Sequence, residues 1–168
     1  MAEILIRAAS GGDVAAVREL MRAYGEHLAA DPHGAAGICL EDYAKELEGL
    51  PNPYLVLLLA TVDGTPAGCV ALKAIPSTAV PEARACEMKR LWVDTRFRGT
   101  GLGRRLAEEA LAWARRAGFE AMYLDTVPAA MPEANRMYAA MGFERVERYN
   151  QNPVANLVFL RKSLANFK

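Results

Sequence analysis

The chain has 168 residues, enough for one domain with a substantial core and barely enough for two. Apolar residues make up 52% and charged residues 24%, a composition that folds rather than one that stays disordered. Lys and Arg number 20 and Asp and Glu number 20, so net charge points to neither nucleic acid nor a membrane surface.

Residues 3–8, EILIRA, read as a short strand. In the following stretch Val14, Val17, Leu20, Met21, Tyr24 and Leu28 recur at helical spacing behind Asp13, a candidate N-cap. Residues 31–39, with Pro32, Gly34 and Gly37, read as a loop, and LEDYAKELEGL at 40–50 as a shorter helix closed by Gly49 and Pro51. YLVLLLATV at 54–62 is a continuous apolar run too short for a typical helix, which suits a central strand. DGTP at 63–66 predicts a turn into a second strand, 67–75. After a loop, CEMKRLWVD at 86–94 predicts a strand whose alternation puts Glu87, Lys89, Leu91 and Val93 on one side and Met88, Arg90 and Trp92 on the other. Leu102, Leu106, Ala110, Leu111 and Ala114 form the apolar stripe of a helix from Gly101 to about 117, ended by Gly118. A strand at 119–127, a helix at 131–141 stopped by Gly142, and strands at 143–149 and 156–164 complete the chain. The expectation is one mixed α/β domain over residues 1–168.

Three cysteines, Cys39, Cys69 and Cys86, are too few and too far apart for a disulfide framework or a zinc site. His27 and His33 have no neighbouring cysteine to complete a metal set and read as surface or capping residues, so no metal is expected. No leader pattern is visible at the N-terminus, and the longest apolar run is too short to span a bilayer as a helix. A cytoplasmic protein is expected.

Gly99, Gly101 and Gly103 alternate between the third apolar strand and the helix that follows, with Arg96, Arg98, Arg104 and Arg105 around them. The first N–H groups of a helix have no intrahelical partner and lie at the positive end of its dipole, so a glycine-rich entry is a ready anion site. The spacing is G-x-G-x-G, which is neither the dinucleotide fingerprint nor a Walker loop. On composition alone, a bare helix-start turn stands beside the anion cradle.

The stretch RGTGLG resembles the [RQ]-x-x-G-x-[GA] loop of the GNAT acetyltransferase superfamily, with Arg98, Gly101 and Gly103 at the defining positions. KRLWVDTRFRGTGLGRRL is similar to that family's strand–loop–helix signature, and LDTVPAAMPEANRMYAAMGFERV to its later segment, a helix ending Y-x-x-x-G-F at Tyr138, Gly142 and Phe143. The likeness covers about residues 54–163 and extends to a bacterial subgroup of small single-domain members; the first fifty residues match only in element order. It implies a single-domain acyl-CoA N-acyltransferase fold of about seven strands and about four helices. It implies acetyl-CoA as cosubstrate, with its pyrophosphate on the backbone of Arg98, Gly99, Thr100, Gly101, Leu102, Gly103 and Arg104. Its pantetheine arm would pair with the backbone of Leu91, Trp92 and Val93, where this strand and the one near 120–126 splay apart. The N–H of Val93 would face the thioester carbonyl. Relatives carry an asparagine at the position of Met131, and Asn135 does not take its place in the pattern. A homodimer is compatible with the resemblance.

Acetyl transfer to an amine needs a neutral acceptor, donors for the carbonyl oxygen and a proton or stabilisation for the leaving thiolate. Glu87 is the candidate base, beside the plainer reading of a strand glutamate paired with Lys89. Tyr138 is the candidate acid, beside a core aromatic sharing a helical face with Ala134 and Met141. Tyr24, His27, Tyr43, Tyr149, Asn150 and Asn152 form an aromatic and amide-rich set that suits a small polar or amino-acid-like amine and equally suits ordinary surface. The other readings are a non-catalytic acyl-CoA-binding or sensor module, which would need the glycine loop but not Glu87 or Tyr138, and a nucleotide-binding α/β protein.

Overall fold

In the computed structural model, residues 1–32 and 40–165 are described. His33, Cys39 and residues 33–39 of the predicted loop lie outside them.

The strands are β1 (Ile4–Ala8), β2 (Val56–Val62), β3 (Thr65–Ile75), β4 (Ala85–Val93), β5 (Ala121–Thr126), β6 (Glu144–Val146) and β7 (Val158–Ser163). The helices are α1 (Val14–Ala30), α2 (Leu40–Gly49), α3 (Leu102–Arg116) and α4 (Pro132–Ala140). The strands form one mixed sheet in the order β1-β2-β3-β4-β5-β7-β6. Every neighbouring pair is antiparallel except β4 and β5, which are joined through the α3 crossover and run parallel.

The sheet is covered on both faces. On one, Leu106, Ala110 and Ala114 of α3 and Tyr138 of α4 pack with Val70, Leu72, Met88 and Leu124. On the other, Val17, Leu20 and Met21 of α1 and Tyr43 and Leu47 of α2 pack with Leu59, Cys69, Ala71 and Trp92. Two layers of helix explain why β2 and β3 read as unbroken apolar runs instead of alternating. Two glycines permit close approaches here. A Cβ at Gly25 would collide with the Tyr43 ring, and one at Gly68 would lie 2.9 Å from both Leu106 and the Trp92 carbonyl oxygen.

The β2–β3 turn is tighter than predicted. Asp63 and Gly64 both take positive φ and Val62 pairs with Thr65, a two-residue hairpin that starts β3 at Thr65. The predicted strand at 143–149 shrinks to Glu144–Val146, and beyond its end the Tyr149 hydroxyl donates to Glu87. Asp13 precedes α1 but does not cap it: its carboxylate accepts from the Ser10 backbone N–H at 2.8 Å and from Arg7.

The alternation expected along β4 is corrected. Cys69 pairs with Trp92 and Ala71 with Lys89, so Val70 alone faces both Arg90 and Leu91, a β-bulge. Arg90 sits there at φ 60°, in the left-handed region. The extra residue resets the parity. Leu91 and Val93 pack with Met88 on the α3 face, while Arg90 and Trp92 join Glu87 and Lys89 on the α1–α2 face.

Candidate functional site

β4 and β5 pair only at Ala85↔Ala121, Cys86↔Met122 and Glu87↔Tyr123. Beyond Glu87 the strands separate, and a cavity of about 500 Å³ opens between them. Its walls include Tyr24 and Tyr43 from the first two helices, Arg90 and Leu91 from β4, Asp125 from β5 and Tyr138 from α4. A cleft where parallel strands part at their carboxyl ends exposes backbone donors and acceptors that a ligand can pair.

The glycine loop follows directly from β4. Asp94 closes a short 3-10 turn by accepting from the Arg96 backbone N–H at 2.9 Å, and the Thr100 hydroxyl donates to the Phe97 carbonyl at 2.7 Å. Gly99 and Gly101 take φ of 78° and 80°, conformations L side chains rarely adopt, and a Cβ at either would meet nothing within 4 Å. The loop is therefore open on its outer side. Among the described residues no acceptor takes the backbone N–H groups of Gly99 to Arg104. Those amides and the free edge of β4 fit the diphosphate and the amide-bearing arm of an acyl-CoA.

The arginines do less at this loop than their number suggests. Arg98 turns back, donating to the Val93 carbonyl at 3.2 Å and lying 4.6 Å over the Trp92 ring. Arg96 pairs with Asp94 and Arg104 with Glu108. The Trp92 side chain points to the α1 face, where the His27 ring lies 5.2 Å away, so His27 and the Trp92 indole stand outside the cavity. The backbone of β4 and the side chain of Leu91 face the cleft instead.

Tyr138 is buried and lines the cavity, packed edge-on against Phe143 at 5.7 Å. Its hydroxyl makes no hydrogen bond among the described residues, and burial raises its pKa, so it keeps its proton at neutral pH. Glu87 lies at the apex of the cleft, 7% exposed and behind the cavity wall. The Tyr149 hydroxyl donates to it at 2.5 Å, the Asn150 amide at 3.2 Å, and Lys89 Nζ stands 3.7 Å away. Tyr149 and Asn150 thus hold Glu87 and do not line the cavity. Tyr43 donates its hydroxyl to the Met21 carbonyl. Met131 reaches the wall, and Asn135 ties α4 to β5 by donating to Thr126 Oγ1 at 2.9 Å and to the Met131 carbonyl at 2.8 Å.

Two features of the wall lie outside the set expected from sequence. Arg90 donates Nε and Nη2 to the Glu46 carboxylate at 3.0 and 2.9 Å, with its guanidinium 4.9 Å from the centre of the Tyr43 ring. Burial pushes the Glu46 carboxyl up, but Arg90 and the Tyr54 hydroxyl outweigh it and hold the group below its ordinary value. Asp125 accepts from the Asn150 amide at 2.7 Å and the Asn152 amide at 3.3 Å. An acidic residue at the carboxyl end of a buried strand was the available signal for Asp125; nothing in the local pattern marks the bulge that aims Arg90.

Among the described residues no three His, Cys, Asp or Glu side chains could share a metal ion, and no helix is long and apolar enough to cross a membrane. Cys69 and Cys86 are buried away from the cavity, and burial raises both thiols to about 12.

The model of the acetyltransferase (GNAT) family matches residues 15–143. An uncharacterized N-acetyltransferase of Schizosaccharomyces pombe is 32% identical over 126 residues, 74% of this chain and 74% of that one. A GNAT-family acetyltransferase of Staphylococcus aureus Mu50 superposes with a TM-score of 0.75 at 17% identity, over 97% of this chain and 100% of its own. The structure of yncA from Salmonella typhimurium with its cofactor acetyl-CoA gives 0.69 at 18% identity, over 99% and 96%. At these identities the superpositions establish a shared fold.

Proposed function

The chain belongs to the GNAT acetyltransferase family and is an N-acetyltransferase, and from that premise we propose that it moves the acetyl group of acetyl-CoA directly to the amino group of a small acceptor held in the same cleft. The observation that carries this reading is the parting of β4 and β5 beyond Glu87, which leaves a strand edge and a cavity of about 500 Å³ side by side. The amides of Gly99 to Arg104 would hold the pyrophosphate and the backbone of Leu91, Trp92 and Val93 the pantetheine arm, with Val93 N–H toward the thioester oxygen.

The acceptor ammonium loses one proton to solvent, attacks the thioester carbon as the neutral amine, and loses a second N–H proton as the amide forms. A C–N bond forms, the C–S bond breaks, and sulfur leaves with the electron pair. Tyr138 donates its hydroxyl proton to that sulfur and is reprotonated from solvent. Glu87 draws the amine proton through water, since it stands behind the cavity wall. The balance is an amide, free CoA thiol and one proton released per ammonium consumed. Direct transfer is supported by the lining itself: among the described residues no cysteine or serine faces the cavity to carry the acetyl group.

Initial rates over a grid of acetyl-CoA and amine concentrations, read as thiol release, test the scheme. A ternary complex gives intersecting reciprocal plots and no acetylated protein by mass spectrometry with acetyl-CoA alone. Parallel plots with a covalent acetyl adduct would overturn direct transfer. Tight CoA binding without thiol release for any amine would leave a non-catalytic acyl-CoA sensor. The same reading includes a cytoplasmic setting, which fractionation tests, and a homodimer, which light scattering tests.

A further inference from the structure

The charges on the cavity wall are unequally matched. Among the described residues two cations line it: Arg90, held by two hydrogen bonds to Glu46, and Lys89, whose charge is balanced by Glu87 at 3.7 Å without a hydrogen bond. Of the carboxylates on the wall, Glu46 is taken by Arg90 and Asp42 is exposed on the first turn of α2, whereas Asp125 is half-buried where β4 and β5 part. Both its hydrogen bonds, from Asn150 and Asn152, come from neutral amides and fall on Oδ2. Among the described residues Oδ1 accepts nothing, and no Lys, Arg or His lies within 4.0 Å of the carboxylate. A half-buried carboxylate oxygen that faces a cavity and accepts nothing is free to take a charge-assisted hydrogen bond from a ligand. Its place is also specific. Asp125 is two residues past Tyr123, the last β5 residue paired to β4, on the same face of the sheet as Glu87. The Asn150 amide reaches both carboxylates and fixes them side by side.

We propose that Asp125 is the counter-ion for the acceptor's ammonium group, and that the acceptors are therefore aliphatic amines that arrive protonated and carry no carboxylate beside the amine. The inference rests on the transferase reading above and adds the class of acceptor. An ammonium gains a charge-assisted hydrogen bond to Oδ1. A carboxylate on the same molecule meets Asp125 as a like charge, and the wall cation without a hydrogen bond, Lys89, already has its charge balanced by Glu87. An aryl amine, neutral at neutral pH, gains little from Asp125 in either direction. Asp125 holds the ammonium, one proton departs to solvent before attack, and the C–N and C–S changes follow as written above.

The test uses the full chain with acetyl-CoA and three matched acceptor classes: aliphatic amines such as tyramine, their carboxylated counterparts such as L-tyrosine, and aryl amines such as 4-aminophenol. The expected result is kcat/KM at least roughly tenfold higher for the aliphatic amines than for the carboxylated ones. Asp125→Asn should then raise KM for the aliphatic amines roughly tenfold, leave aryl amines within about twofold, and leave acetyl-CoA affinity and melting temperature unchanged. A purely structural role would lower all three classes together. Carboxylated amines turned over as well as aliphatic ones would overturn the inference, as would an Asp125→Asn loss shared by aryl amines. Both outcomes leave the transferase reading standing. Absence of thiol release in every class, with acetyl-CoA bound, would instead overturn the transferase reading itself. The comparison of acceptors on the unmodified protein needs no variant to fold.

Discussion

On sequence Tyr138 is the candidate acid and Glu87 the candidate base, and their surroundings separate them. Tyr138 presents a hydroxyl without a hydrogen bond to a cavity, whereas Glu87 is enclosed by Tyr149, Asn150 and Lys89. The first arrangement leaves a donor available to a departing sulfur. The second holds a carboxylate in a fixed orientation, one step removed from the acceptor. Tyr138→Phe keeps the edge-on contact with Phe143 and removes only the donor. It should lower kcat by about a hundredfold, with acetyl-CoA affinity within about twofold of the unmodified protein. Steady-state rates with binding measured by calorimetry check this, and an unchanged kcat removes Tyr138 from the chemistry.

At the scale of elements, the glycine loop and α3 act as one unit. Gly101 stands at the N-cap of α3 in a left-handed conformation, so a β-branched residue there both strains the backbone and fills the open outer side. Gly101→Val should weaken acetyl-CoA binding by tenfold or more, from roughly 1–3 kcal/mol of backbone cost together with the blocked approach. Calorimetry on the folded variant reads it, and unaltered affinity would contradict the cradle. This unit was legible in the sequence because each signal is local: an apolar strand, glycines at a turn, a five-residue stripe on a helix. Element order was legible for the same reason. The bulge at Arg90 was not, since an extra residue in a ladder depends on the partner strand, and strict alternation cannot register it. Asp125 is not legible there, because its meaning comes from which wall charges are paired in space. Tyr149 and Asn150 stand out in the sequence as site candidates, but their bonds to Glu87, 62 and 63 residues away, cannot be read from spacing.

On the scale of the whole molecule, the Arg90–Glu46 pair ties β4 to α2, and with it the sheet to the helical layer that closes the cavity. Because the Glu46 carboxyl is held below its ordinary value in the folded state, its contribution is present above about pH 4.3, the ordinary glutamate range. That contribution is lost as pH falls through the lower folded value. The melting-temperature gap between the unmodified protein and Glu46→Gln should therefore be open at pH 7 and narrow steadily on acidification below that range. A gap that does not change with pH would show that Arg90 gains nothing from the ionised form. The sheet itself has a weak seam. Three residue pairs, Ala85↔Ala121 to Glu87↔Tyr123, form the ladder between a four-stranded leaf, β1 to β4, and a three-stranded one of β5, β7 and β6. On the proposed reading, a pantetheine arm lengthens that ladder from one side, so occupancy governs how readily the leaves breathe apart. Amide protons at 88–93 and 121–126 should exchange with deuterium more slowly when the cosubstrate is present, while those of the outer pair β1 and β2 keep their rates.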